Sequence, residues 1–358
     1  QIKNKDGIMN QLYIIEKKIK ENLIHKIILI IFLIYFYYNN IEKYIKQNYI
    51  IIEVDTSLGK IEGGGPVQLQ KGINKILPYR TKKCSFIPVD KVYPTSEKED
   101  VNYFFMVAPI IEYTYRKWTL YNRTQSLLIG PCFIPLRWSQ FPWNIYWRER
   151  NLRELLLSIK AIVVHSSRVR NYLAEKSNNT DLLNKFIIMR ACTYCLPKNI
   201  KPFNERNIDI ILYEKYPDLN RRKQGKKLFK LLKGTNKRIE ILQRGNYTRD
   251  TEFNLAYDTK FIIYFSFYDT GAIALKEIQN YGVIAFTLQK DLAFDNKTSY
   301  YIPELEDYDI TPAFNKIMKI IDDIDKINPN TKNIADINQN YTKCERALDD
   351  LCDGLMKK

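Results

Sequence analysis

Residues 261–287 read FIIYFSFYDTGAIALKEIQNYGVIAFT. The stretch begins with an apolar run over residues 261–265 that has the length of a buried strand, and a helix is predicted over residues 271–280. Small and apolar side chains recur at helical spacing along that helix: Gly271, Ala274, Leu275 and Ile278. Such a face can pack closely on a sheet. Gly282 ends the helix, and a second apolar strand over residues 283–286 completes a strand, helix and strand unit.

The same alternation of strands and helices extends on both sides of this unit. The other predicted strands are 49–54, 86–89, 103–107, 127–129, 162–164, 186–189, 208–213 and 238–242. The other predicted helices are 68–77, 148–159, 167–176 and 222–232. Alternation of this kind predicts an α/β fold with parallel sheets covered on both faces. Pro197 and Pro202 interrupt it, so we expect one domain over residues 49–204, a second over 205–330, and a C-terminal helix over 331–358.

The start of the helix over residues 271–280 offers chemistry for a phosphorylated ligand. Unpaired N–H groups around Thr270 and Gly271 would form an anion site, and Gly271 permits close approach of the backbone. Glu277 lies two turns further on, where a carboxylate could accept both hydroxyls of a ribose, and Asp269 lies nearer the sugar. The alternative is that Asp269 caps the helix and that Glu277 is a solvated helical acid.

The spacing Asp269-x7-Glu277, with Gly271 and the closing segment GVIAFT at 282–287, resembles the signature of retaining GT-B glycosyltransferases, especially the large family-four group. The first acid is Asp where Glu is usual in that family. The resemblance implies two Rossmann-like domains facing a cleft and transfer of a hexose from a nucleotide diphosphate sugar to a hydroxyl acceptor with retention. It also implies that no metal or cofactor is needed, that Asp269 contacts the donor sugar, and that Glu277 binds the ribose.

Further segments occur in the order that this family would require. Lys215, after the strand at 208–213, and Arg222, in a basic helix, resemble the cations that neutralise the donor phosphates. Gly245 follows the strand at 238–242 in a glycine loop that resembles a donor-binding segment. Each cation has an alternative interpretation as part of an exposed basic helix.

The first domain carries two further candidate segments. Gly63, Gly64 and Gly65 precede the first helix and would let an acceptor or donor phosphate approach the backbone. His165 follows the strand at 162–164, in a segment that resembles a strand end of the family, and is a candidate catalytic residue at the cleft edge. The alternative is a structural histidine.

An apolar run near the N-terminus predicts a membrane anchor. Residues 23–38 could form one hydrophobic helix, and the lysines before it place the N-terminus in the cytoplasm. We therefore expect residues 1–48 to be a cytoplasmic tail, signal anchor and stem, and the catalytic region to lie in the lumen of the endoplasmic reticulum or Golgi. A cleaved signal and a buried or interfacial helix are the alternatives.

The composition of the chain bears on its compartment. Five Asn-x-Ser/Thr acceptors suit a lumenal region, and they are Asn122, Asn178, Asn246, Asn296 and Asn340. The six cysteines have no recognisable framework of spacings. For Cys192 and Cys195, buried thiols or a disulfide are favoured over a zinc site because no second ligand pair accompanies them.

The formal charge of +16 attracts phosphates of any source, including nucleic acid. Aromatic residues do not interleave with Lys and Arg on an identifiable platform, so nucleic acid is not the expected partner. A catalytically inactive GT-B module that binds glycans is the closer rival, because Asp replaces Glu at position 269. The expected partners are thus a nucleotide-sugar donor, a glycan, lipid or protein acceptor, and the membrane. The acid pairs at 307/309 and 323/325 are predicted to be solvated, with no metal.

Overall fold

The computed structural model describes residues 48–54, 65–88, 101–107, 127–131, 158–171, 180–193, 196–215, 219–243, 246–266, 271–290 and 298–357. The predicted anchor over residues 23–38 lies outside these ranges, as does most of the helix predicted over 148–159. None of the helices within the described ranges is long and apolar enough to cross a membrane.

The first sheet is built from apolar segments of residues 48–188. Its elements are β1 (Asn48–Val54), α1 (Gly65–Ile76), β2 (Tyr79–Arg80), β3 (Cys84–Pro88), β4 (Val101–Val107), β5 (Leu127–Pro131), β6 (Ala161–Val164) and β7 (Phe186–Ile188). Its described strands run in the order β2-β3-β1-β4-β5-β6-β7. The ladders from β1 through β4, β5 and β6 to β7 are parallel, and β2 pairs with β3 antiparallel. The predicted parallel sheet is confirmed, and the short edge strand β2 is an addition to it.

The second sheet is parallel throughout its described part. Its elements are β8 (Ile208–Lys215), α2 (Leu219–Lys233), β9 (Ile239–Gln243), α3 (Arg249–Tyr257), β10 (Thr259–Ser266), α4 (Ile273–Gln279), β11 (Ile284–Thr287) and β12 (Ser299–Tyr301). The strands run in the order β12-β11-β10-β8-β9. Numbered from β8, this is the doubly wound order 2-1-3-4-5, in which the direction of winding reverses between β8 and β10.

Both faces of the second sheet are buried, as expected for a parallel sheet. Side chains alternate along β10: Phe261, Ile263 and Phe265 join one apolar cluster, and Ile262 and Tyr264 join another on the opposite face. All five side chains are fully buried. The continuous apolar run in the sequence therefore reflects a strand that is covered by helices on both sides.

The C-terminal part of the chain is helical and contains α5 (Thr311–Ile327), α6 (Thr331–Thr342) and α7 (Cys344–Met356). Short 3-10 helices lie at Thr180–Lys185, Phe203–Glu205 and Pro303–Glu306. The segment predicted as a single helix over 331–358 contains two helices, because Lys343 has ψ 137° and breaks the helical path between α6 and α7. Asp323 and Asp325 lie in α5. Asp307, Asp309 and Asp323 are exposed, as predicted, but the prediction is wrong for Asp325, which is half-buried and accepts a hydrogen bond from Nζ of Lys237 at 2.5 Å.

Helix α7 packs against the first sheet, although it follows the second in sequence. Its apolar residues Ala347, Leu348, Leu351 and Leu355 belong to the same buried cluster as residues of β1, β3, β4 and β6. Arg190, just after β7, forms a bidentate ion pair with Asp350, with Nε–Oδ2 and Nη2–Oδ1 distances of 2.6 and 2.8 Å. The last described helix therefore closes a face of the first core.

Two disulfides tie the C-terminal helices to the first sheet. Cys84 at the start of β3 is bonded to Cys352 in α7, and Cys192 after β7 is bonded to Cys344 at the start of α7. Cys132 and Cys195 lie outside the described residues. The sequence favoured a disulfide or buried thiols at Cys192, and the structure gives Cys344 as its partner.

Candidate functional site

The winding of the second sheet reverses between β8 and β10, and ligands of open parallel sheets bind outside the carboxyl ends of the strands at such a point. Lys215, the last residue of β8, is the register partner of Ser266, the last residue of β10. The segment that leaves β10 contains Asp269 and Thr270, which lie outside the described residues. Lys215 is partly exposed. The predicted donor-binding cation is thus placed at the edge where a ligand of this fold is expected.

The carboxyl end of β6 in the first sheet touches the segment that follows β10 in the second. Gly271 is buried, and a Cβ atom placed on it would lie 2.7 Å from Cδ2 of His165 and 3.1 Å from Cβ of Ala191. Only a residue without a side chain allows this approach. Nδ1 of His165 lies 2.9 Å from the carbonyl oxygen of Met189, an acceptor, so Nδ1 carries the proton. His165 and Gly271, two residues predicted for the site, are therefore in contact.

Helix α4 begins later than the sequence indicated. The predicted start at Gly271 is wrong: Ile273 is the first residue of α4, and the preceding Ala272 has a left-handed backbone with φ 45°. The first helical hydrogen bond therefore runs from the N–H of Lys276 to the carbonyl oxygen of Ala272. Ala272 is fully buried, and a left-handed conformation at a residue other than glycine is uncommon. The Gly271–Ala272 turn replaces the helical start that the spacing predicted.

Glu277 lies inside the protein and holds two partners. Its side chain is 1% exposed, and Oε1 accepts hydrogen bonds from Nη2 of Arg249 at 2.6 Å and from Oγ1 of Thr193 at 3.0 Å. The interpretation of Glu277 as a solvated helical acid is therefore wrong. Arg249 comes from the first turn of α3, and Thr193 comes from the segment after β7, so this carboxylate joins parts of both sheets.

Glu252 is a second buried acid beside the same arginine. Its side chain is 2% exposed, and Oε1 has no hydrogen-bond partner among the residues that the structure describes. Burial, together with the smaller effect of the charge of Glu277, raises the pKa of Glu252 to about 8 against the opposing charge of Arg249. Glu252 is consequently protonated near neutral pH, and the Arg249–Glu277 ion pair is left electrically balanced.

No local sequence pattern singled out Thr193, Arg249 or Glu252. Helix α3 buries Glu252 and Ala256, so it lacks the apolar periodicity that marks other helices. A weak signal was present in Thr248, whose side chain caps α3 by accepting a hydrogen bond from the N–H of Thr251. A cap of that kind predicts a helix start but not the ion pair that the helix forms.

The remaining predicted residues are only partly described. Arg222 is exposed in the first two turns of α2, and Gly65 is the first residue of α1. Gly63, Gly64 and Gly245 lie outside the described residues. Among the described candidates, the structure thus brings His165 to Gly271, places Lys215 at the winding reversal, and leaves Arg222 on the surface of α2.

No protein-family model and no curated protein matches the chain. Solved structures with a similar course of the chain include a putative UDP-N-acetylglucosamine 2-epimerase from Listeria monocytogenes, at 9% identity and a TM-score of 0.40, covering 85% of this chain and 94% of that chain. Accessory secretory protein 1, 2 and 3 of Streptococcus pneumoniae matches at 12% identity and a TM-score of 0.42, with 79% and 60% covered. MnaA of S. aureus, in a co-structure with UDP, matches at 10% identity and a TM-score of 0.36, with 84% and 92% covered. Similarity of this degree assigns no function to the chain.

Proposed function

We propose that this chain is a glycosyltransferase of the GT-B type, which transfers a hexose from a nucleotide diphosphate sugar to a hydroxyl acceptor with retention and without a metal. The observation that supports it best is the junction of His165 and Gly271, beside the winding reversal of the second sheet. The Asp269-x7-Glu277 spacing begins in the segment that follows β10 and ends in α4. A nucleotide bound at the carboxyl ends of β8 and β10 would lie beside the segment that follows β10 and carries Asp269.

A cation at this edge would neutralise the donor diphosphate. Lys215 ends β8 and is proposed for this role; Arg222, the other predicted cation, is exposed on α2 and is not assigned to it. Positive groups aimed at a departing diphosphate stabilise the charge that develops as the glycosidic bond breaks. Thr270 and Gly271 would offer backbone N–H groups to the same phosphates, and Gly245 would line the nucleotide from the loop after β9. Asp269 would act beside the reacting sugar.

Two proposed roles fall outside the diphosphate itself. His165 would contact the transferred sugar from the end of β6, since it already reaches Gly271. The loop at Gly63, Gly64 and Gly65, between β1 and α1, would take the acceptor, because β1 lies between β3 and β4 where the first sheet also changes its winding.

The ribose role of Glu277 requires a change of partners. Its Oε1 atom accepts bonds from Arg249 and Thr193, so a ribose hydroxyl would have to share or replace one of them. This occupied carboxylate is the observation that favours a second candidate function, a GT-B module that binds glycans without catalysis. The two functions differ in whether a nucleotide binds.

The compartment forms part of the proposal. Two disulfides, Cys84–Cys352 and Cys192–Cys344, are formed by buried cysteines, and disulfides persist in oxidising compartments. They support a catalytic region in the lumen of the endoplasmic reticulum or Golgi, held there by the anchor predicted over residues 23–38.

A nucleotide screen tests the function. The purified full chain is heated with uridine, guanosine and adenosine diphosphates and with their sugars. A ligand that binds only the folded state stabilises it by about 2.7 kcal/mol at a hundredfold excess over Kd, so one nucleotide should raise the Tm by several degrees. A folded sample that no nucleotide stabilises would reject the transferase and favour the glycan-binding module.

Variants locate the binding edge. Lys215→Ala should weaken binding of the stabilising nucleotide about tenfold, because a charge-assisted bond to phosphate is lost. Lys319→Ala, at an exposed position of α5, is the matched control and should leave the affinity unchanged. Equal affinities for the two variants would place the nucleotide elsewhere.

A further inference from the structure

Helix α2 has one face that is buried in the second domain. Gln224, Gly225, Leu228 and Leu232 are buried, and both leucines belong to the apolar cluster on one side of the second sheet. At 100° per residue, these four positions fall within an arc of about 100°. The position of α2 on the sheet therefore fixes which side chains point outward.

The outward side of α2 is a stripe of positive charge. It consists of Arg222, Lys223, Lys226, Lys230 and Lys233, which fall within another arc of about 100° on the opposite side of the helix. All five are exposed. We call this set the α2 basic face. It spans eleven residue steps, or roughly 16 Å along the helix axis at 1.5 Å per residue.

Most of the α2 basic face is not neutralised by the protein. In the part of the chain that the structure describes, neither Arg222 nor Lys223, Lys226 and Lys230 forms an ion pair, and Nζ of Lys233 lies 5.5 Å from the centre of the Phe229 ring. The acids of the adjoining segment are engaged at the side of the helix, where Lys227 bonds Asp309 at 2.9 Å. The charges of the α2 basic face therefore point into solvent.

We propose that the α2 basic face docks on a membrane surface that carries anionic lipid headgroups. A straight stripe of five cations on one rigid helix matches a flat layer of negative charge, and each Lys or Arg near such a surface adds to the attraction. A nucleic acid would require aromatic platforms between the cations, and the five positions that make up the α2 basic face are all Arg or Lys. The proposal depends neither on glycosyl transfer nor on the proposed lumenal compartment.

Lysine reactivity provides a direct test. The full chain is reconstituted in lipid nanodiscs of phosphatidylcholine, with or without phosphatidylserine, and the rate of acetylation at each lysine is measured by mass spectrometry. Lys223, Lys226 and Lys230 should react several-fold more slowly on the anionic discs, and high salt should reverse the difference because it screens the attraction. Lys319, Lys332 and Lys357, which are exposed on α5, on α6 and after α7, are internal controls and should change less than twofold.

A charge-reversal variant and an alternative ligand complete the test. In Lys223→Glu/Lys226→Glu/Lys230→Glu, protection of Lys233 on anionic discs should disappear, whereas Lys319→Glu/Lys332→Glu/Lys357→Glu should retain it. Equal protection of all lysines, or none on the α2 basic face, overturns the proposal. Protection by a single-stranded oligonucleotide but not by anionic discs also overturns it and assigns the face to nucleic acid.

Discussion

At the scale of single residues, the chemistry of the second domain centres on three ionisable side chains that are largely withdrawn from water. Arg249 forms an ion pair with Glu277, and burial keeps the nearby Glu252 protonated. An arginine can balance one carboxylate in such surroundings, and a second negative charge would have no compensating partner. The stability of this cluster therefore depends on whether Glu252 keeps its proton.

Glu277→Ala should destabilise the protein much more than loss of a surface acid. The variant leaves the guanidinium of Arg249 without its carboxylate, and breaking a buried pair costs about 3 kcal/mol or more. The Arg249 side chain is 25% exposed, which places the expected loss at the lower end of that range. Urea denaturation measures the free energy of unfolding of the variant and of the parent.

The matched control for Glu277 is Glu304, which pairs with Lys316 on the surface. Its side chain is 31% exposed, and Glu304→Ala should cost less than about 1 kcal/mol. If the two variants lose equal stability, Glu277 is not the buried ion-pair partner described here.

Glu252→Gln should remove a pH dependence of stability. The pKa of Glu252 is about 8 in the folded protein against an ordinary value of 4.5, so between these pH values the folded chain holds a proton that the unfolded chain has released. The free energy of unfolding therefore falls as the pH rises from about 4.5 to 8. The total fall is at most about 1.4 kcal/mol for each unit of difference between the folded and unfolded pKa values of Glu252. The variant should raise the Tm at pH 8 far more than at pH 5.

Glu205, an exposed acid, supplies the comparison for that experiment. Glu205→Gln should shift the Tm little at either pH value, because substitutions of exposed side chains usually change stability by less than about 0.5 kcal/mol. A Glu252→Gln protein whose Tm follows the parent across the window would show that Glu252 is ionised when folded.

At the scale of elements, the segment after β7 is held from several directions. Nζ of Lys276 in α4 donates to the carbonyl oxygen of Ala191 at 3.1 Å, Oγ1 of Thr193 donates to Glu277, and Cys192 is bonded to Cys344. The N–H of Thr193 also donates to the carbonyl oxygen of Thr342 at the end of α6. Helices of the C-terminal part therefore hold the segment after β7 in the position where Thr193 bonds to Glu277.

The pairing of Cys192 predicts a specific pair of linked peptides. Proteolysis without reduction, followed by mass spectrometry, should recover Cys192 joined to Cys344 and Cys84 joined to Cys352. Cys192→Ala/Cys344→Ala should lower stability by up to about 4 kcal/mol, since the bond closes a loop of more than a hundred residues. A peptide in which Cys192 is joined to Cys195 would contradict the arrangement described here.

Most elements of the two sheets follow from local patterns in the sequence. Apolar runs predicted the parallel strands because those strands are buried on both faces, as at Phe261 to Phe265. Helix α3 and strand β12 escaped prediction, because α3 buries a glutamate in place of an apolar stripe and β12 has three residues. The buried state of Glu277 escaped for a different reason: its partners Arg249 and Thr193 lie 28 and 84 residues away, and no local spacing records them.

At the scale of the whole molecule, residues 49–358 form one compact unit that contains both sheets. The contacts that close it are distant in sequence: Arg190 with Asp350 is separated by 160 residues, and Cys84 with Cys352 by 268. The sequence indicated a C-terminal helix but could not indicate that α7 completes the first core, because the apolar stripe of α7 fits either sheet equally well.

Leu348→Ala tests that assignment. Leu348 is fully buried in the first core, and its truncation should cost about 2 to 5 kcal/mol through lost burial and a residual cavity. Hydrogen exchange should show the loss in the amides of β6 and β7 and leave those of β8 and β10 protected. Met356→Ala, at a position 40% exposed, should cost less than about 1 kcal/mol. Equal deprotection of both sheets would show that α7 does not belong to the first core specifically.

The place of α7 also determines the order in which a newly made chain can fold. The ribosome delivers β1 to β7 first, but their core lacks Leu348, Leu351 and Leu355 until nearly the end of the described chain has emerged. The second sheet is covered by α2, α4 and α5, all of which are made earlier than α7. Domains usually fold in the order of their synthesis. Here the second sheet can complete its core first, while one apolar face of the first sheet remains exposed until α7 is made. During translation that face is the part of the chain on which chaperones would act.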